Sequence, residues 1–217
     1  MPISDRRGRF IPWLKVLVWC VALIPAAQLV HGAVIGDLGT DPVKTIQNTT
    51  GYTTLRLLFI TIAITPVRRL TGVNDLIRFR RLLGLFAFFY ATLHVLSYVV
   101  FDQSLSLALI VEDVAKHPWV LLGATGFLLL IPLAITSTRG WIRRLGGRRW
   151  RLLHWLIYVI APLGVLHFYL SVKRDVTRPL QYGAVLLVLL LARVVIRPRR
   201  RQAGRASAEL LTAEERG

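Results

Sequence analysis

The sequence is poor in the residues that build most metal and redox centres. Its 217 residues hold one cysteine, Cys20, inside an apolar run, and one methionine, Met1. This excludes a disulfide framework, a thiolate metal cluster and a C-x-x-C-H cofactor attachment. The 11 Asp and Glu all fall in loops or at the chain ends. A transporter that relays protons needs carboxylates within its spans, so that class is disfavoured. There is no G-x-G-x-x-G, no P-loop, no internal repeat and no loop of domain size, so no soluble nucleotide-binding domain is expected. Histidine is scarce too, limited to His31, His94, His117, His154 and His167. Any metal chemistry must rest on these.

What the chain has in abundance is apolar length. It is 54% hydrophobic, with a mean hydropathy of +0.55, too apolar for a soluble domain of this size. Six windows are long enough to cross a bilayer: 11–30, 50–67, 82–101, 118–137, 152–172 and 179–196. An all-α membrane protein, a six-transmembrane-helix bundle, follows. The first window follows Arg6, Arg7 and Arg9 and contains "IPAAQ", a pattern shared with signal peptides. Its length and the five later spans favour a helix of the bundle. The second window carries Arg56, and Pro66 in "TPVRR" is expected to help stop its helix.

A net charge of +17 would suit a nucleic-acid binder if the basic residues shared a face. Instead they cluster between the apolar runs, so no nucleic-acid partner is expected. Of the 28 Lys and Arg, only Lys44, Arg56, Lys116, Lys173, Arg174 and Arg178 fall outside the N-terminus, the 68–81 and 139–151 loops and the tail from Arg193. This asymmetry places both termini in the cytoplasm. The expected divisions are a cytoplasmic N-terminus (1–10), a six-helix domain (11–196) and a polar cytoplasmic tail (197–217). The basic part of the tail is suited to anionic membrane lipid.

Orientation sets the depth of each histidine. At about 1.5 Å per residue, His94 and His167 lie at one level in the outer half of the membrane, on different spans. His154 lies about 20 Å lower. His31 and His117 sit near water. Two level imidazoles on separate helices make a pincer for a flat macrocycle, because neutral imidazole is a good iron ligand. The competing reading is a structural histidine bonded to a neighbouring helix. His154 and His167 lie about 140° apart on an ideal helix, and a kink at Pro162 is expected to turn both inward. His154 finds no histidine at its own depth, where the third span offers Arg80 and Arg81. An inner site therefore needs another ligand or an open position. Arg56, near the depth of the pair, reads either as a haem-propionate partner or as an arginine snorkelling to the interface. Trp150 and its neighbouring arginines fit phosphate docking less well than plain cytoplasmic anchoring.

The stretches "RRLLGLFAFFYATLHVLSYVVFD" (80–102), "GFLLLIPLAITS" (126–137), "LGGRRWRLLHWLIYVIAPLGVLHFYLSVKRD" (145–175) and "LRLLFITIAITPVRRLTG" (55–72) resemble the MsrQ (YedZ) family. That family supplies the haem-binding membrane subunit of the periplasmic protein-methionine-sulfoxide reductase system. The resemblance covers nearly the whole chain apart from its two ends. It implies a ferric-reductase-like six-helix domain with haem b, one or two per chain, in the bacterial inner membrane. It marks His94, His154 and His167 as haem-ligand candidates, with His94 and His167 the best pair for iron and His154 a second site or alternative ligand. It implies bound FMN and electron supply from the quinol pool or a cytosolic flavin reductase. The acceptor would be a periplasmic molybdenum-cofactor methionine sulfoxide reductase. The chain departs from larger ferric reductases and NADPH oxidases in two ways. Arg80 and Arg81 stand where those have a second histidine, which puts a second symmetric haem in doubt. The flavin and nicotinamide domain is lacking, so the donor must be a separate molecule. The chain is thus expected to be an electron-transfer subunit rather than the catalytic one. A stand-alone ferric or oxygen reductase uses the same core, and a proton-coupled transporter or a cofactor-free scaffold remain the other classes.

Overall fold

The computed structural model describes residues 4–196, with side chains from Ile11 onward. The first ten residues' side chains and the 197–217 tail, both expected to be cytoplasmic, lie outside the described residues. Eight α-helices follow one another: α1 (Ser4–Ile35), α2 (Pro42–Thr71), α3 (Arg80–Ser97), α4 (Leu107–Lys116), α5 (Pro118–Ile135), α6 (Arg139–His154), α7 (Ile157–Ser171) and α8 (Thr177–Val195). A 3-10 turn (Asn74–Phe79) precedes α3 and a π-helical turn (Tyr98–Asp102) extends it. Six candidate spans result, with α6 and α7 counted as one. The protein is a six-span helical membrane bundle. Its many exposed Leu, Val and Trp side chains face where lipid would lie.

Local sequence explains the boundaries. Asp41 caps α2 by accepting from the Lys44 N–H at 3.0 Å, and Pro42 occupies the first turn, where its missing N–H costs nothing. Pro66 does not stop this helix as expected. The chain runs on to Gly72, whose left-handed conformation (φ 73°) returns its N–H to the Arg68 carbonyl, a glycine-dependent stop. The span that carries Arg56 is the central one. Of its most apolar window 61% is buried, against 6% for α1.

Two segments expected as loops are helical. Residues 107–116 form α4, capped by Ser106. Residues 139–154 form α6, capped by Thr138 and broken at Gly146 (φ 72°, ψ 151°). A second correction concerns the kink. The chain breaks at Trp155–Leu156, before Pro162, which lies inside α7. Leu156, Tyr158 and Val159 donate to the carbonyls three residues back, the pattern of a 3-10 helix. Pro162 withholds the bond that the Tyr158 carbonyl would otherwise receive, so the tightening sits one turn ahead of it. Each tightened residue adds about 20° of winding. Three of them cut the 140° offset between His154 and His167 to roughly 80°.

Packing follows two antiparallel pairs. α2 lies along α3, and α5 along α7, while α3–α5 and α2–α7 meet more sparsely across a seam between the pairs. The seam core includes Leu58, Ile62, Ala87, Ile160 and Ala161. α8 covers α7 and α2. α1 is pinned by Tyr90 of α3, whose fully buried hydroxyl donates to the Ala22 carbonyl at 2.6 Å and accepts from the Ala26 N–H at 3.1 Å. A side chain has entered the α1 ladder beside Pro25, as such insertions do at weakened turns.

Candidate functional site

His94 on α3 and His167 on α7 meet across the seam. Their ring centres are 6.0 Å apart and the ring planes are 82° to one another. The expected common depth is therefore realised.

Each ring is held by its own helix pair. His94 Nδ1 lies 3.0 Å from the Gln47 carbonyl of α2, with the Thr50 hydroxyl at 3.5 Å. His167 Nδ1 lies 2.6 Å from the Trp119 carbonyl of α5. A carbonyl can only accept, so both Nδ1 atoms carry the proton and both Nε2 atoms keep a free lone pair. Glycines let the pairs close on these rings. A Cβ at Gly51 would stand 3.3 Å from His94 Cε1, and one at Gly123 would stand 2.8 Å from His167 Nδ1. Helical spacing explains the grouping: Gln47 with Gly51, and Trp119 with Gly123, are i and i+4 on one face.

The supports extend to the bundle's histidine-proximal end. The Gln47 amide donates to Asp102 at 2.6 Å. Trp119 packs its ring 4.5 Å from that of His117, whose Nδ1 bonds Asp113 at 2.6 Å. Tyr98 and Gln103 also donate to Asp113. Gly51, Gly123, Gln47, Thr50, Trp119, Asp102 and Asp113 were missed by sequence reasoning. The two glycines carried a usable signal, because small residues inside spans mark close helix approach. The carbonyl supports carried none, since any residue could supply them.

His154 stands apart from the pair. It ends α6, stacks on Trp150 with ring centres 4.0 Å apart, and meets the Thr136 hydroxyl through Nε2 at 3.2 Å. That hydroxyl donates to the Pro132 carbonyl at 2.6 Å, so it accepts from His154 and leaves Nδ1 as the free nitrogen. The Trp150 indole donates to the Thr136 carbonyl at 2.9 Å. Trp150 thus braces His154. Arg80 is the charge within electrostatic reach of that ring. His31 is exposed at the end of α1.

Arg56 does not join the pair. It lies about 140° around α2 from Gly51, is exposed, and donates through Nε to the Tyr182 hydroxyl of α8 at 3.1 Å. This placement favours the anchoring reading over a propionate partner.

Among the described residues no group of three or more His, Cys, Asp or Glu could hold a metal. Iron between His94 and His167 would therefore need its remaining donors from a bound group, as a tetrapyrrole provides. The spacing fits. With a metal–imidazole bond of about 2 Å and roughly 1 Å more to each ring centre, opposed imidazoles place their centres about 6 Å apart.

The family described as ferric reductase like transmembrane component matches residues 50–165. A protein-methionine-sulfoxide reductase heme-binding subunit MsrQ of Herminiimonas arsenicoxydans is 46% identical over 183 residues, 83% of this chain and 84% of that protein. The MsrQ of Caulobacter vibrioides is 46% identical over 178 residues, 82% and 85% of the two chains. That of Xanthomonas axonopodis pv. citri is 50% identical over 182 residues, 81% and 83%.

Proposed function

This chain belongs to the MsrQ family of haem-binding subunits, within the ferric-reductase-like transmembrane proteins, and from that membership we propose how it serves a protein-methionine-sulfoxide reductase. It carries electrons across the bacterial inner membrane to a periplasmic molybdenum-cofactor reductase subunit. Its donor is the quinol pool or a cytosolic flavin reductase. The arginine surplus at one end of the bundle supports cytoplasmic termini, so His94 and His167 stand toward the periplasm.

The observation that carries this reading is the His94–His167 pair, 6.0 Å between ring centres. Haem b bound there supplies a one-electron couple. His94 and His167 would hold it through Nε2, one from each helix pair. Two protein ligands leave no open position, which suits electron passage rather than oxygen chemistry. The carbonyls of Gln47 and Trp119 fix ring orientation and raise ligand basicity. The apolar seam excludes water around the pair. His154, braced by Trp150 and Thr136, serves as a second site or alternative ligand toward the cytoplasm. FMN belongs to this reading by family membership.

The test is the visible and electron-paramagnetic-resonance spectrum of the detergent-purified protein, with haem quantified per chain. His94→Ala and His167→Ala should each abolish the low-spin signal of the outer site. His154→Ala should spare it while lowering total haem or slowing electron entry. Loss of all haem in His154→Ala alone would overturn the pairing. Chemically reduced protein should be reoxidised fast by the periplasmic partner and slowly by ferric chelate. The reverse order would make it a stand-alone metal reductase.

A further inference from the structure

At the opposite end of the bundle from the histidine pair, four arginines from three helices lie close together, two of them beside one tyrosine. Arg68 and Arg69 end α2, Arg80 begins α3, and Arg193 lies in the last turn of α8. Tyr158 lies in the first turn of α7. The Arg193 guanidinium sits 4.5 Å over the Tyr158 ring. Arg80 has Tyr158, Arg193 and Arg68 within electrostatic reach. Arg69 donates through Nη1 to the carbonyls of Arg193 at 2.9 Å and Ile196 at 2.7 Å, which docks the end of α8 onto α2.

This arrangement is incomplete as it stands. The Arg68 Nε, the Arg69 Nε, the Arg193 Nη1 and the Tyr158 hydroxyl are all shielded from solvent and lack a partner among the described residues. Among the described residues no carboxylate is among the charges acting on Arg80. The nearby Asp75 is engaged by exposed Arg78 at 3.2 Å. Half-buried like charges held together without a counter-ion repel one another, and shielded N–H groups without acceptors add to that cost. Charge asymmetry between the two ends of a bundle does not require such burial. Arg81, Arg148 and Arg149 serve it while remaining exposed. What completes the cluster is an anion with several oxygens, and the planar guanidinium fork matches phosphate.

The flanks indicate how that phosphate arrives. Val67 and Leu70 of α2, and Leu191, Val194 and Val195 of α8, are exposed on either side of the arginines. Apolar surface beside a half-buried cationic cluster at helix ends suits acyl chains below a headgroup. We propose that Arg68, Arg80, Arg193 and Tyr158 form a binding site for the phosphodiester headgroup of an anionic phospholipid, with its acyl chains along α2 and α8. Such a lipid offsets part of the cluster's charge, supplies acceptors to its N–H groups and ties α8 to the helix pairs that hold the histidines.

Native mass spectrometry of the haem-loaded, detergent-purified chain tests this. The probes are phosphatidylglycerol, phosphatidylcholine of the same acyl chains, inorganic phosphate and FMN. Phosphatidylglycerol should bind at least ten-fold more tightly than phosphatidylcholine. Arg193→Gln and Arg68→Gln should each weaken phosphatidylglycerol about ten-fold and leave phosphatidylcholine unchanged, while Arg193→Lys keeps part of the preference. An unaltered His94–His167 spectrum shows that a variant is folded. Should Arg193→Gln fail that criterion, Arg68→Gln decides, because its Nε makes no bond among the described residues. Equal affinity for the two lipids, or wild-type phosphatidylglycerol binding in the folded Gln variants, overturns the proposal. Inorganic phosphate or FMN binding as tightly as the lipid, and lost in the same variants, assigns the site to a soluble phosphate and overturns it equally.

Discussion

Adding one methyl group at Gly123 should dismantle the histidine pair, and the same change at Gly51 should not. A Cβ at Gly123 would lie 2.8 Å from His167 Nδ1 and 2.9 Å from Cε1. Ordinary contacts begin near 3.5 Å, so the ring or α5 must retreat by more than about half an ångström. The Nδ1 bond to the Trp119 carbonyl, 2.6 Å long, comes from the same face of α5. Retreat lengthens it to about 3.2 Å, the long end of the normal range, and weakens it. Overpacking of this kind typically costs about 1–3 kcal/mol, or roughly ten- to a hundred-fold in affinity for a group held by that ring. Gly51 differs. Its added Cβ would stand 3.3 and 3.4 Å from His94, a strain relieved by a few tenths of an ångström. Helix propensity favours alanine over glycine at both positions by about 1 kcal/mol, so a loss at Gly123 can only be steric. Haem per chain, the low-spin signal and the midpoint potential of Gly123→Ala and Gly51→Ala provide the comparison. We expect Gly123→Ala to lose most outer-site haem or shift its signal, and Gly51→Ala to stay near wild type. Wild-type haem content, spectrum and potential in Gly123→Ala would refute the geometry on which the site rests.

Two further outcomes follow from side chains outside the pair. Tyr90→Phe strands the Ala22 carbonyl and the Ala26 N–H inside α1. It should lower stability by about 1–3 kcal/mol, read as earlier thermal unfolding in detergent with the haem spectrum kept. Arg56→Gln should leave haem content and midpoint potential unchanged, because that guanidinium is exposed and bonds Tyr182 of α8 rather than any support of the histidine pair. A shifted potential on redox titration would restore its reading as a propionate partner.

How much of this was legible depends on the length scale of the signal. Apolar windows and the level placement of His94 and His167 need only counting along helices of fixed rise, and the 6.0 Å ring spacing bears that counting out. Fold class was legible for the same reason, and the family from the long motifs around the histidines. The 155–156 break was not, because proline visibly removes a bond at its own position while the backbone tightens a turn earlier. α4 and α6 escaped notice as well. The first is too short for a span, and the second is built from "RGWIRRLGGRRW", whose charge and glycines read as loop. The carbonyl supports of the rings are backbone atoms and leave no mark in residue identity. The grouping of Arg68, Arg80 and Arg193 is tertiary, drawn from helices far apart in the chain.

The division of labour between the helix pairs explains how such a site can exist before anything fills it. Each imidazole is fixed from within its own pair: α2 holds His94 of α3, and α5 holds His167 of α7. Gly51 and Gly123 bring the partners close enough for those bonds. No hydrogen bond between the two rings crosses the seam; they meet only as edge-on neighbours. Inserting a flat group between the pairs therefore breaks no support of either ligand, and each ring keeps its Nε2 unbonded. Had each ring instead bonded the opposite pair, filling the seam would have cost the bonds that aim the ligands. Preorganisation here comes from placing the tight contacts within the pairs and the sparse ones between them. The site should then keep its ligand orientation whether the seam is open or filled.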